Sequence, residues 1–336
     1  MWNMIHCEVQ GRGHEKSNLP CQDKTCVLCD NGVHVIALAD GAGSAKLSHY
    51  GAECVTYEIA NLLCKAFDDF YNSQDGVSVK KQFISYILDK LKSEASEFDC
   101  ELTDLASTLL MAAVKDDKFI LLHLGDGVIG YVKANEVKVA SAPDNGEFAN
   151  TTFFTTSQDA LVHLRLFKGE LKDISGFVLM SDGTEAALYN KKSNAIVPGV
   201  LKIMNLCSTI EPKKVELMLL KSFENVIKKA TSDDCSIAIM TKDDGDFKGY
   251  NRLSFEEKLQ FLNIDTTRSL NTQKLQIKKY DLLLNYLEEP HSLEQISKKI
   301  KVKENTALKR LEPLLKLNLI TFENNLYQAM VILDKH

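Results

Sequence analysis

The chain has 336 residues, 45% hydrophobic and 26% charged, a composition that can bury a sizeable core and a length that suggests about two domains. Its 40 Lys and Arg against 46 Asp and Glu leave a formal charge of −6, which argues against a protein built chiefly to coat nucleic acid or an anionic membrane. The longest strongly apolar run without a charge, Leu105 to Val114, is far shorter than the roughly 20 residues of a membrane-spanning helix, so no bilayer span is expected.

The start of the sequence, Met1-Trp2-Asn3-Met4-Ile5-His6-Cys7-Glu8, lacks the basic segment and apolar core of an export signal. Nine irregularly spaced cysteines fit reduced thiols better than a disulfide framework, so the cytoplasm is the expected compartment. Strands are predicted at Val33–Ala39, Ser107–Val114, Phe119–Leu124, Val128–Lys133, Thr152–Thr156, Phe177–Met180 and Cys235–Met240, each short, apolar and bounded by turn or charged residues. Between them, Leu47, Tyr50, Val55, Ile59, Leu62, Leu63 and Phe67 recur as one face of a helix over Ala45–Tyr71. Phe83, Ile87, Leu91, Ala95 and Phe98 repeat the signal over Val79–Phe98. Two helices in succession followed by mostly β-like runs indicate an α+β fold of antiparallel sheets covered by helices, not a doubly wound sheet.

After Met240 the composition changes. A domain is expected over residues 1–242, a polar and acidic linker over 243–272 with one helix near Phe255–Leu262, and a small domain over 273–336. The last segment carries a net charge of +3 where the preceding 272 residues carry −9. It holds helix patterns at Leu275–Glu289, Leu293–Ile300 after a Ser292 cap, and Glu304–Leu317, then a hairpin over Leu319–Val331 with Asn324-Asn325 at its tip. That order is winged-helix-like. Its expected core is Leu282, Leu283, Leu287, Ile296, Leu308, Leu311, Leu315 and Leu319. Glu304, Lys309, Arg310 and Glu312 give the third helix mixed charge, which suits a protein contact better than a DNA-reading face.

Three predicted strands end alike, in Ala39-Asp40-Gly41, Leu124-Gly125-Asp126-Gly127 and Met180-Ser181-Asp182-Gly183. Asp233-Asp234 immediately precedes a fourth strand, and Asp23 sits near the start of another. Any one Asp-Gly is most simply a tight turn. Several on one sheet edge would gather carboxylates whose repulsion divalent cations relieve, magnesium or manganese most naturally. Cys26-Val27-Leu28-Cys29 has zinc spacing but no matching second pair, so core thiols are expected, and His123 is expected to be packed in its strand. No phosphate loop or dinucleotide fingerprint is present.

Ala39-Asp40-Gly41-Ala42-Gly43-Ser44, Ala106-Ser107-Thr108-Leu109, Gly125-Asp126-Gly127, Ser181-Asp182-Gly183 and Asp233-Asp234-Cys235-Ser236 together resemble, in order and spacing, the metal-dependent protein phosphatases of type 2C. Gly11-Arg12-Gly13-His14 and Pro20-Cys21-Gln22-Asp23 look closest to a bacterial branch of that family. The resemblance covers roughly residues 5–240. It implies a two-sheet antiparallel β-sandwich flanked by helices and hydrolysis of phosphoserine and phosphothreonine in proteins by a metal-activated water. It also implies two Mn2+ or Mg2+ ions, with a weaker third, and a partner Ser/Thr kinase.

By the same resemblance Asp40, Asp182 and Asp233 are catalytic, and Asp23, Asp40, Gly41, Asp126, Asp182 and Asp233 are the metal ligands. Gln22 stands where many members have Glu, Ala42 stands where eukaryotic members often have a histidine, and Arg12 with His14 are the candidates to bind phosphate. Two other readings stay open: a catalytically weak phosphoprotein-binding module, motivated by Gln22 and Ala42, and a winged-helix transcription regulator with a sensor domain.

Overall fold

A computed structural model describes residues 2–144, 152–242, 249–331 and 333. Residues 243–248, the most acidic part of the expected linker, lie outside the described residues. The chain forms two compact units, Met1–Met204 with Glu216–Lys242, and Asn205–Val215 with Asp243–His336.

In chain order the first part runs β1 (Trp2–Val9), α1 (Arg12–Ser17), β2 (Lys24–Asp30), β3 (Val33–Ala39), α2 (Ser48–Asn72) and α3 (Gly76–Phe98). Then come β4 (Leu109–Lys115), β5 (Lys118–Leu124), β6 (Val128–Lys133), β7 (Glu136–Ser141), α4 (Ala160–His163), β8 (Arg165–Glu170) and β9 (Ile174–Met180). They are followed by α5 (Asp182–Leu188), the short pair β10 (Tyr189–Asn190) and β11 (Ala195–Ile196), α6 (Pro198–Thr209), α7 (Pro212–Asn225) and β12 (Cys235–Lys242).

Two five-stranded antiparallel sheets result, ordered β1-β12-β9-β6-β7 and β2-β3-β4-β5-β8. Their central strands read as unbroken apolar runs because both faces are covered. In β3, Ile36 and Leu38 join Leu110, Ala112, Phe177, Leu179, Ala238 and Met240 in a cluster drawn from both sheets. The alternate residues Val35 and Ala37 pack with Val55, Ile59 and Leu63 of α2 and Phe83, Ile87 and Leu91 of α3. Successive side chains on opposite faces thus place one sheet between the other sheet and a helical layer. The expected antiparallel sandwich flanked by helices is what forms.

Caps explain the helix boundaries. Asp75 accepts hydrogen bonds from Val77 N and Ser78 N at 3.1 and 3.0 Å to start α3, and Asp99 ends it in the left-handed region at φ 50°. The expected strand Thr152–Thr156 does not form. Its polar groups are used locally: the Thr155 N–H donates to Ser107 O, and the Phe154 N–H to Ser157 Oγ. The β propensity of its threonines is overridden by these bonds.

The second unit contains α8 (Phe255–Phe261), α9 (Leu270–Tyr286), α10 (Leu293–Lys299) and α11 (Glu304–Lys316), then the hairpin β13 (Ile320–Glu323) and β14 (Leu326–Ala329). Ser254 with Glu257 and Ser292 with Gln295 make reciprocal capping boxes on α8 and α10. Asn324 and Asn325 take φ of 51° and 63°, as a two-residue hairpin turn requires. The core of α11 differs from its expected set: Ala307, Leu311 and Leu314 are buried, whereas Leu308, like Leu282 of α9, is exposed. The row of inward positions on α11 is shifted by one residue, because several helix faces in a Leu-rich segment are comparably apolar. Among the described residues no helix is long and apolar enough to cross a membrane.

Candidate active site

The strand ends deliver their acidic groups to one cleft of about 210 Å³ in the first unit, lined by His14, Gln22, Asp40, Gly41, Ala42, Gly43, Thr108, Asp126, Thr152, Phe154, Asp182 and Asp233. Asp40 follows β3 and Asp126 follows β5 in one sheet; Asp182 follows β9 and Asp233 precedes β12 in the other. The backbone fixes them. The Asp40 N–H donates to Thr108 Oγ1 at 2.8 Å, the Thr108 N–H returns a bond to Asp40 O, and Gly41 bridges to Ser107. Ser181-Asp182-Gly183 does not make the turn that an isolated Asp-Gly suggests, because Asp182 opens α5. Gly183 is required there: a Cβ on it would lie 2.1 Å from Asp234 O.

The electrostatics follow from burial. Removal from water, then Asp23 and Asp182, hold the Asp40 carboxyl well above the usual carboxylate range. Burial first and Asp234 second do the same to Asp23, which is 1% exposed. Asp182 is pushed up to about 6 by burial, then by Asp233 and Asp126. Gln22 is also buried, and its Oε1 has no hydrogen-bond partner among the described residues.

The metal expectation is corrected by this geometry. Among the described residues no group of three or more His, Cys, Asp or Glu side chains is disposed so that it could hold a metal ion. The carboxylates share a cleft in which some of their oxygens are engaged, while both oxygens of Asp23 and Oδ1 of Asp182 have no hydrogen-bond partner among the described residues. Asp126 Oδ2 accepts from Thr152 Oγ1 at 2.6 Å, and Asp233 Oδ1 accepts from the Asp234 N–H at 2.9 Å. Mn2+ and Mg2+ take several oxygen donors that converge on one point, and the described side chains form no such point. The donors as arranged do not fit the two ions, or a third, expected on Asp23, Asp40, Gly41, Asp126, Asp182 and Asp233. Cys26 and Cys29 gather no metal set either, and the described cysteines form no disulfide.

The two basic candidates part company. His14 lines the cleft, with Nδ1 2.9 Å from Asp234 Oδ2. Arg12 does not line it, and its guanidinium donates to the carbonyls of Lys229 and Thr231. Asp234, the silent half of the acidic pair in the sequence reading, turns out to organise one wall. It is 1% exposed and accepts from Gly11 N and Gln22 N, each at 2.6 Å, besides meeting His14. Burial alternation just before β12 was the available signal, since Asp233 and Asp234 must face opposite ways at a strand start. His123 is packed as expected: its Nε2–H donates to Gly125 O at 2.9 Å and its Nδ1 accepts from Ser141 Oγ at 2.7 Å.

The cleft is smaller than the roughly 300–1,000 Å³ pockets that enclose a whole small-molecule ligand, and it suits a small polar group carried on a larger substrate. Residues 10–219 match the family model described as protein phosphatase 2C. Serine/threonine-protein phosphatase 3 of Escherichia coli (strain K12) is 25% identical over 250 residues, covering 71% of this chain and 97% of that protein. Among solved structures, a bacterial serine phosphatase superposes with a TM-score of 0.53 at 14% identity, over 74% of this chain and all of the other. The phosphatase Stp1 from Staphylococcus aureus gives 0.50 at 15%, over 73% and 96%. A family match over more than half of the chain, on a fold these structures share, means that the chain belongs to the protein phosphatase 2C family and is a phosphatase of the serine/threonine type.

Proposed function

We propose that the chain removes phosphate from phosphoserine and phosphothreonine residues of proteins at the cleft bounded by Asp40, Asp182 and Asp233. The observation that carries this reading is the delivery of Asp40, Asp126 and Asp182 from strand ends of two sheets to one small cleft beside His14. A phosphoryl group fits such a cleft while the protein that bears it stays outside. His14 at the rim is the basic group that would meet the phosphoryl oxygens. Asp182, pushed up only to about 6, would take the proton of a water attacking phosphorus in line, and Asp40, held well above the usual carboxylate range, would give its proton to the departing serine or threonine oxygen, with no covalent enzyme intermediate. Asp23, buried beneath, would set the acidity of the layer above it rather than touch substrate.

The second unit, with its helix, helix, helix and hairpin order, is winged-helix-like in our reading and docks protein partners, a cognate kinase or its phosphorylated products among them. The thiol state of the cysteines supports a cytoplasmic setting. One observation favours a second reading: because the cleft donors do not converge on a cation, the same site would bind phosphoproteins and turn them over slowly. Phosphate release from a phosphoserine peptide, set beside peptide affinity, separates the two. Tight binding without release supports the binding module, and release at enzymatic rates supports the phosphatase.

A further inference from the structure

The second unit holds a cavity of about 270 Å³ between α9 and α11, lined by Arg268, Thr272, Leu275, Gln276, Lys279, Tyr280, Leu283, Lys309 and Arg310. Four of these side chains are cationic and none is acidic. Lys279, Lys309 and Arg310 make no ion pair or hydrogen bond among the described residues, while Arg268 meets only Asp265, 3.4 Å away. Elsewhere in the unit lysines are paired, Lys298 with Glu294 on α10 and Lys316 with Glu312 on α11. Four positive groups around one hollow repel one another, so their placement does not stabilise the unit. It suits an anion.

We propose that this cavity is a second phosphoryl-binding site, which docks a phosphorylated segment of a protein substrate; the proposal rests on the phosphoprotein reading of the cleft. A phosphorylated side chain brings a charge of about −1.5 to −2 at pH 7 and three acceptor oxygens. Arg268 and Arg310 offer planar forks for such oxygens, and Lys279 and Lys309 offer mobile point charges. Leu275, 54% exposed at the same wall, gives the adjoining peptide an apolar contact. Nucleic acid is the poorer occupant. The one aromatic ring of the cavity, Tyr280, is buried and its hydroxyl accepts from Gln276 Nε2, so no open ring waits for a base. Glu304 and Glu312 flank Lys309 and Arg310 along α11 and would repel a continuous phosphate backbone.

The test uses the full chain and a fluorescent peptide bearing two phosphoserines, read by anisotropy, with the unphosphorylated peptide and a DNA duplex as comparisons. Lys309→Glu combined with Arg310→Glu should weaken the phosphopeptide at least tenfold, Lys279→Glu alone should weaken it severalfold, and Lys298→Glu, at an exposed lysine outside the cavity, should leave it within twofold. Hydrolysis of p-nitrophenyl phosphate by the groove variants should stay within twofold of the unaltered chain. The proposal is overturned if both groove variants bind the phosphopeptide as the unaltered chain does, or if the duplex binds more tightly and is what the reversals abolish. Loss of all hydrolysis in the unaltered chain, with groove-dependent binding intact, would remove the catalytic reading and keep the docking site.

Discussion

Replacing Asp234 by Ala should destabilise the first unit more than replacing any other acid of the cleft, although Asp234 does not line the cleft. Its carboxylate is buried and accepts two backbone N–H groups, from Gly11 and Gln22, each at 2.6 Å. Truncation orphans both donors, at about 1–3 kcal/mol each. It also frees the His14 ring from its neighbour. Loss of the Asp234 charge relieves Asp23, which that charge opposes, so part of the cost is returned. A net loss of about 2–5 kcal/mol is expected. Asp234→Asn keeps one acceptor but turns an amide N–H2 toward the other N–H, and should fall between Ala and the unaltered chain. Asp233→Ala is the control: that residue is exposed and accepts one backbone bond, so its cost should stay near 1 kcal/mol. Urea unfolding followed by tryptophan fluorescence suits the question, because the single Trp2 lies on β1, which pairs with β12 just beyond Asp234. An Asp234→Ala loss below about 1 kcal/mol, or equal to that of Asp233→Ala, would refute this role of the Asp234 carboxylate.

Two further outcomes concern the same end of the sandwich. Burial, then Arg165, hold the His123 imidazole down to about 4, so the folded chain resists a proton that the unfolded chain accepts near 6.5. Its contribution is complete above pH 6.5 and is lost as the pH falls toward 4, a loss of about 3 kcal/mol that His123→Gln should abolish in unfolding curves taken at pH 7 and pH 4. Gly183→Ala must move Asp234 O from 2.1 Å, which should cost about 1–3 kcal/mol in thermal unfolding and lower phosphate release by displacing the 233–234 segment from Asp182. A stable and fully active Gly183→Ala would show that the segment yields without consequence.

The parts of the molecule that were legible in the sequence are those set by strong local periodicity. The apolar face of α2 and the doubly covered run of β3 could be read directly, and so could the Asn324-Asn325 turn, because each pattern has one inexpensive solution. The strand ends at Asp40, Asp126 and Asp182 were legible as a set, since acids at the ends of buried strands have few places to go. Long-range pairing was not. β1 joins β12 across more than 200 residues, and no local signal in Trp2–Val9 names that partner. The second unit takes in Asn205–Val215 for the same reason: Ile210 bridges to Val331, a pairing invisible to a composition shift at Met240. Arg12 looked like a phosphate ligand by its charge, yet its guanidinium is taken up by the carbonyls of a chain segment more than 200 residues away. The metal expectation erred differently, by counting carboxylates at strand ends: they share a cleft, yet among the described residues they form no group disposed to hold an ion.

The most direct test is inorganic phosphate release from a phosphothreonine peptide by the full chain beside its Asp40→Asn and Asp182→Asn variants, each checked for native unfolding behaviour. If the cleft carries the chemistry, the unaltered chain releases phosphate and each variant is slower by on the order of 100-fold, roughly 2.7 kcal/mol of lost transition-state stabilisation. Release that persists undiminished in both variants, or no release by the unaltered chain, would contradict the assignment of the activity to this cleft.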